Sequence, residues 1–159
     1  MTAEHREIIR RIRSSAEAIR QAAASVPRGR EGDPPREGEW SARETVVHLR
    51  NVLVMVHGLR IRRLIYEADP VFADYDEAAF RRTAVASDEP LSRLLEMAIA
   101  EHAQIAGLLE TLPDEQWQRS GRHPELGAMS IELLARRVGE HGEEHAAQIA
   151  ETARALAVW

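Results

Sequence analysis

No cysteine occurs in the 159 residues, which excludes disulfides, thiolate zinc clusters, iron–sulfur centres and a protein thiol nucleophile together. Lysine is missing as well: all 21 basic residues are Arg, so Schiff-base chemistry and the lysine of a phosphate-binding loop are ruled out. Aromatic side chains are scarce, 4% against 44% hydrophobic overall, and a core so short of aromatics is aliphatic and helical rather than a sandwich of strands. There is no excess of positive charge. A formal net charge of −5 and a pI near 5.8 offer no basic face to a phosphate backbone, so no nucleic-acid partner is expected. No stretch approaches the ~20 apolar residues of a membrane span, and the opening MTAEHREIIRRIR carries charges where a signal peptide needs an apolar run. The expectation is one cytoplasmic domain spanning 1–159, without a membrane partner.

Apolar periodicity then divides the chain into helices. Ile8, Ile12, Ile19 and Ala23 recur at helical spacing after Thr2, a plausible cap, and predict a helix to about Ser25. The Pro- and Gly-rich stretch from Val26 to Glu39 is a connecting loop. Ser41-x-x-Glu44 is a capping box that opens a second helix, running to about Glu67 and apolar nearly all round, which Asp69-Pro70 stops. A long crossover follows, with a short helix from Asp76 to Thr83, and Ser87-Asp-Glu-Pro90 opens a third long helix to about Leu112. Asp114 to Met129, which includes Trp117, reads as a surface loop, and Ser130 caps a fourth helix to about Leu156. Four long helices with one extended connection between the second and third predict an all-α four-helix bundle, up-down-down-up.

The chemistry-bearing residues are histidines. His141-Gly-Glu-Glu-His145 sets two imidazoles one turn apart on one helical face, a metal-ligand spacing, beside Leu134, Val138 and Ile149. Gly142 stands where a zincin carries its general-base Glu, so peptidase chemistry of that kind is not expected. Gly139 and Gly142 each cost roughly 1 kcal/mol relative to Ala in a helix; either close approach of a neighbouring helix or access for a ligand explains them. His48 is the candidate third ligand, on a face with Val52, Met55 and Leu59, and Glu44 one turn earlier is either a cap or a carboxylate behind that ring. His102, on the apolar face of the third long helix, is the candidate acid–base residue. Helical spacing turns His57 away from His48, and neither His57 nor His5 is assigned a role. No Glu-x-x-His occurs, which excludes a carboxylate-bridged di-iron site.

Trp40-Ser-Ala-Arg-Glu44-Thr-Val-Val-His48-Leu49, the segment from Trp117 to Ser130, and His141-Gly-Glu-Glu-His145-Ala-Ala-Gln148-Ile149 together resemble the DinB-like superfamily of small bacterial four-helix bundles, which includes bacillithiol-, mycothiol- and glutathione-linked S-transferases. Asn51, Leu53 and Val54 depart from acidic residues common there. The resemblance implies that His48, His141 and His145 hold a divalent metal, zinc or nickel first and manganese or iron after them. It implies a small-molecule substrate, a low-molecular-weight thiol as cosubstrate for transfer to an electrophile, and a homodimer. Arg43, Arg50 and Arg122 are then the expected receivers of the thiol's carboxylates. Hydrolysis is the other enzymatic reading, and a metal-binding or degenerate bundle acting as a structural or partner-binding module is the alternative from a different class.

Overall fold

The computed structural model describes residues 1–158. The helices are α1 (Ala3–Ala24), α2 (Ala42–Val52), α3 (Gly58–Tyr66), α4 (Glu77–Ala86), α5 (Leu91–Glu110) and α6 (Ile131–Ala157). The caps work as the sequence indicates. Thr2 Oγ1 accepts from the His5 amide, Ser130 Oγ from that of Leu133, and at Ser41 both arms of the capping box are made. The third long helix differs. Pro90, with no side-chain cap, precedes it, and Ser87 instead ends α4, which runs three residues past its expected end. No helix among the described residues is long and apolar enough to cross a membrane.

Ion pairs between helices fix the topology. Arg11 meets Glu143 at 2.7 Å and Arg136 meets Glu4, so α1 and α6 run parallel. Arg13 meets Glu110 at 2.6 Å while the terminal amine meets Asp114 at 2.9 Å, so α5 runs against α1. Arg50 pairs with Glu89 and Arg62 with Glu101, which makes α2 and α3 parallel to α5. The order is therefore up-down-down-up, and two parallel neighbours need the crossover that carries α4. The more exposed of these pairs, such as Arg13 with Glu110, set register more than stability. The core between the helices is aliphatic, built on residues such as Ile12, Ile19, Leu49, Leu94, Ile105 and Ile149.

Two features depart from the expected pattern. The second helix is not uniformly α: between α2 and α3, Leu53–His57 forms a π turn closed by the Gly58 amide on the Leu53 carbonyl. One extra residue in a turn rotates everything after it by about 100°. Met55 and Leu59, expected beside His48, are consequently 56% and 48% exposed, whereas Val56 and Arg60 take the inward positions at 3% and 7%. The stretch 114–129 is also more ordered than a loop. It holds a 3-10 turn (Asp114–Gln118) and most of an antiparallel hairpin, β1 (Ser120–His123) with β2 (Gly127–Ser130). Trp117 is fully buried, stacked on His5 with ring centroids 3.9 Å apart. The hairpin ties down the crossover through Phe72 N–H to the Arg122 carbonyl and Arg122 N–H to that of Pro70.

Candidate metal centre

Alpha-helical spacing on α6 and the antiparallel approach of α2 bring three rings together. His48, His141 and His145 each offer a nitrogen within 4.8 Å of the others. His145 Nε2 lies 2.9 Å from His141 Nε2, close to the separation of two nitrogens held about 2.0–2.1 Å from one ion. The other side of His145 is fixed by Gln148, whose Oε1 is 2.8 Å from Nδ1; that contact selects the tautomer with a lone pair on Nε2, as a metal ligand requires. His48 Nδ1 and His141 Nδ1 are buried without hydrogen-bond partners. Buried imidazole nitrogens left bare are costly; a cation would accept the lone pairs of the facing His141 Nε2 and His145 Nε2, while His141 Nδ1 stays without a partner among the described residues. The donor set therefore fits a divalent ion.

Burial keeps these rings neutral. It pushes His48 down to about 4, with the His145 charge adding to it, and His141 down to about 2, with His145, His57 and His48 contributing. His145 is lowered too, against the opposing pull of Gln148. A pH dependence follows with a definite sign. An unfolded histidine titrates near 6.5, so below that pH the unfolded metal-free chain takes up protons that the folded one refuses. Stability contributed by these groups is complete above 6.5 and is lost progressively as pH falls, down to about 4 for His48 and about 2 for His141. The urea midpoint of the metal-free protein should decline steadily between pH 7 and 4.5; a flat midpoint across that interval would contradict the burial of these rings.

The site opens into a cleft of about 520 Å³, walled by Trp40, Arg36 and Arg81 on one side and by His145, Gln148 and Thr152 of α6 on the other. Trp40 meets His48 edge-on at 4.9 Å, and the Arg81 guanidinium lies over the Trp40 ring. The three arginines expected here are elsewhere. Arg50 pairs with Glu89, Arg122 with Asp69 at the hairpin, and Arg43 lies against Gly32 in a separate groove. They are near His48 or the hairpin in sequence only, whereas Arg36 and Arg81 come from the loop and the crossover helix, whose placement depends on tertiary contacts.

Other expectations resolve as follows. Glu44 completes the capping box through Ser41 N–H at 2.7 Å, and no carboxylate among the described residues holds His48. A Cβ on Gly142 would stand 2.7 Å from Ser15 Oγ and 3.2 Å from His102 Nε2, and one on Gly139 would stand 3.2 Å from Arg11 Cγ. Close helix approach, not ligand access, explains both glycines. His102 is buried, its Nδ1 2.7 Å from the Ala98 carbonyl, and its ring is not among those lining the cleft. The residue missed in the sequence is His57: the π turn swings it to within 5.6 Å of His141, ring centroid to centroid.

Fold and site define a helical bundle with a three-histidine group that could hold a metal ion. The chain belongs to the DinB superfamily, which matches residues 10–149. Among curated relatives, "Putative metal-dependent hydrolase GK0616" of Geobacillus kaustophilus (strain HTA426) is 30% identical over 92% of this chain and 83% of its own length. YfiT of Bacillus subtilis (strain 168), named in the same terms, is 27% identical over 87% of this chain and 78% of its own. The solved structure of YfiT, described as "a probable metal-dependent hydrolase with an unusual four-helix bundle topology", superposes with a TM-score of 0.82 at 25% identity, over 97% of this chain and 89% of that one.

Proposed function

We propose that the protein is a cytoplasmic divalent-metal-dependent enzyme in which His48, His141 and His145 hold zinc or nickel, and that it transfers a low-molecular-weight thiol to an electrophilic small molecule. The observation that carries this reading is three histidine nitrogens within 4.8 Å of one another beside a cleft of about 520 Å³, a size suited to a small organic ligand. Three protein ligands leave a coordination position for an exogenous group, the arrangement of catalytic rather than structural sites. An ion there would lower the pKa of a thiol or of water and so supply a nucleophile at neutral pH. The chain has no cysteine, so the sulfur in this scheme is the cosubstrate's.

The chain's own residues bind and orient. Gln148 holds the His145 ring, and Trp40 bounds His48 on the cleft side. Arg81 lies over Trp40 with no carboxylate partner among the described residues, whereas Arg36 is engaged with Glu39 at 3.2 Å. Arg81 is therefore the guanidinium free to receive a carboxylate of the thiol. Hydrolysis is the second reading, favoured by the names of the relatives.

One assay separates them. Zinc- or nickel-loaded protein is given glutathione, bacillithiol or mycothiol with a fluorogenic electrophile, and separately an ester panel without thiol. Metal-dependent thiol consumption, lost in His48→Ala, is the expected result. Ester cleavage without thiol would replace transfer by hydrolysis, and no turnover with stoichiometric metal would favour a structural module. The same assay on H102Q decides the acid–base role assigned to His102: loss of a general acid–base costs roughly 10²–10⁴-fold, and a loss under about tenfold removes that assignment.

A further inference from the structure

If His141 binds an ion through Nε2, the nitrogen that faces His145 Nε2 at 2.9 Å, then its Nδ1 carries the proton. Ligating histidines almost always donate that second N–H to an acceptor, which fixes ring and tautomer. For His145 a partner is present in Gln148. For His141 none is made: Nδ1 is buried and unpartnered. The ring beside it is His57, perpendicular at 80°, and His57 Nδ1 is likewise buried and unpartnered. Two adjacent imidazoles with bare nitrogens, ring centroids 5.6 Å apart, can supply a donor and an acceptor to one another.

The position of His57 is itself built. Nine residues of α-helix would place it about 180° from His48, and the extra residue of the π turn brings that to about 80°. The turn is held where α5 meets it. Glu101, 7% exposed and paired with Arg62 at 2.6 Å, occupies the space that a side chain on residue 58 would fill, and the Leu53 carbonyl that accepts from Gly58 stands 2.5 Å from that point. Only glycine fits there. A π turn at a functional site is a recurrent device.

We propose that His57 is a positioning residue of the metal centre, accepting the Nδ1 proton of His141 so that Nε2 is left for the ion, and that the π turn anchored by Gly58 and Glu101 delivers it. This rests on the three-histidine reading above. The test is zinc affinity by competition with a chromophoric chelator, joined to long-range ¹H–¹⁵N NMR of the zinc-loaded protein. His57→Phe should weaken zinc binding about 10- to 100-fold, the usual effect of removing an outer partner. His57→Gln, which keeps an acceptor, should stay within about threefold of wild type on that same scale. His102→Gln, at a buried ring whose unpartnered Nε2 stands beside Gly142, should do the same. In the wild type, a slowly exchanging proton on His141 Nδ1 with a ¹⁵N–¹⁵N coupling to His57 is expected, a readout that does not depend on any variant folding. Unchanged affinity in His57→Phe, or a His141 Nδ1 that exchanges freely with no such coupling, overturns the inference and leaves the metal centre standing. A wild type that binds no zinc overturns both.

Discussion

Changing His141 to Ala should leave a folded protein that no longer responds to zinc. In the wild type, zinc at a hundredfold excess over its dissociation constant adds about 2.7 kcal/mol to stability, which for a domain of this length raises the melting temperature by roughly 5–10 °C. With two imidazoles left, affinity should drop by more than the roughly 100-fold that loss of an outer partner can cause, and the thermal shift at the same zinc concentration should vanish. The comparison is internal to each variant, zinc against chelator. The cavity left by a buried ring lowers both curves equally and does not obscure the result. A shift in His141→Ala equal to that of the wild type would mean that the ion binds elsewhere.

Trp117→Ala should produce the largest stability loss of any single truncation in the chain. The side chain is fully buried and stacked on His5, whose Nδ1 meets Asp114 at 2.8 Å, so one ring joins the start of α1 to the 3-10 turn before the hairpin. Removing a buried Trp costs about 3–5 kcal/mol, or roughly 6–20 °C in melting temperature at this chain length. Zinc affinity of the folded protein should not change, because Trp117 touches none of the metal-site rings. A loss below about 1 kcal/mol, the scale of a surface substitution, would mean that residues 114–129 behave as an unstructured connection after all. Melting curves with and without zinc report on both statements.

What could be read from the sequence followed from local chemistry. Thr2, Ser41 and Ser130 cap the helices they precede because a hydroxyl there meets the free amides of the first turn whatever surrounds it. The His141–His145 pair was legible because i and i+4 share a face on any α-helix. His48 as third ligand came from its inward face together with the family resemblance, and the structure brings it to the other two. What escaped depends on contacts between distant segments. The π turn was missed because Leu53, Val54, Met55 and Val56 read as continuous helix; its one local mark is Gly58, where a side chain would meet Glu101 and the Leu53 carbonyl. That one inserted residue is why Met55 and Leu59 are exposed and why His57 faces the metal centre. Trp117 looked like a loop residue because Gly121, Pro124 and Gly127 follow it, yet Gly127, at φ 75°, shapes a hairpin turn and Gly121, opposite Met129, lets Pro70 and Phe72 approach the strand. Arg36 and Arg81 were overlooked for the arginines nearest the motifs, because proximity in sequence says little once a crossover helix is laid across the bundle.

The parallel pairing of α1 with α6 has a further consequence for how the molecule is made. Arg11 and Glu143 are separated by 132 residues, and the two histidines of α6 lie 93 and more positions after His48, so neither contact can form on a ribosome until α6 has emerged. Closing such long loops is slow relative to local helix formation. The nascent protein therefore passes through a stage in which its first helices exist without α6 beside them, and the three histidines come together only after that helix is made.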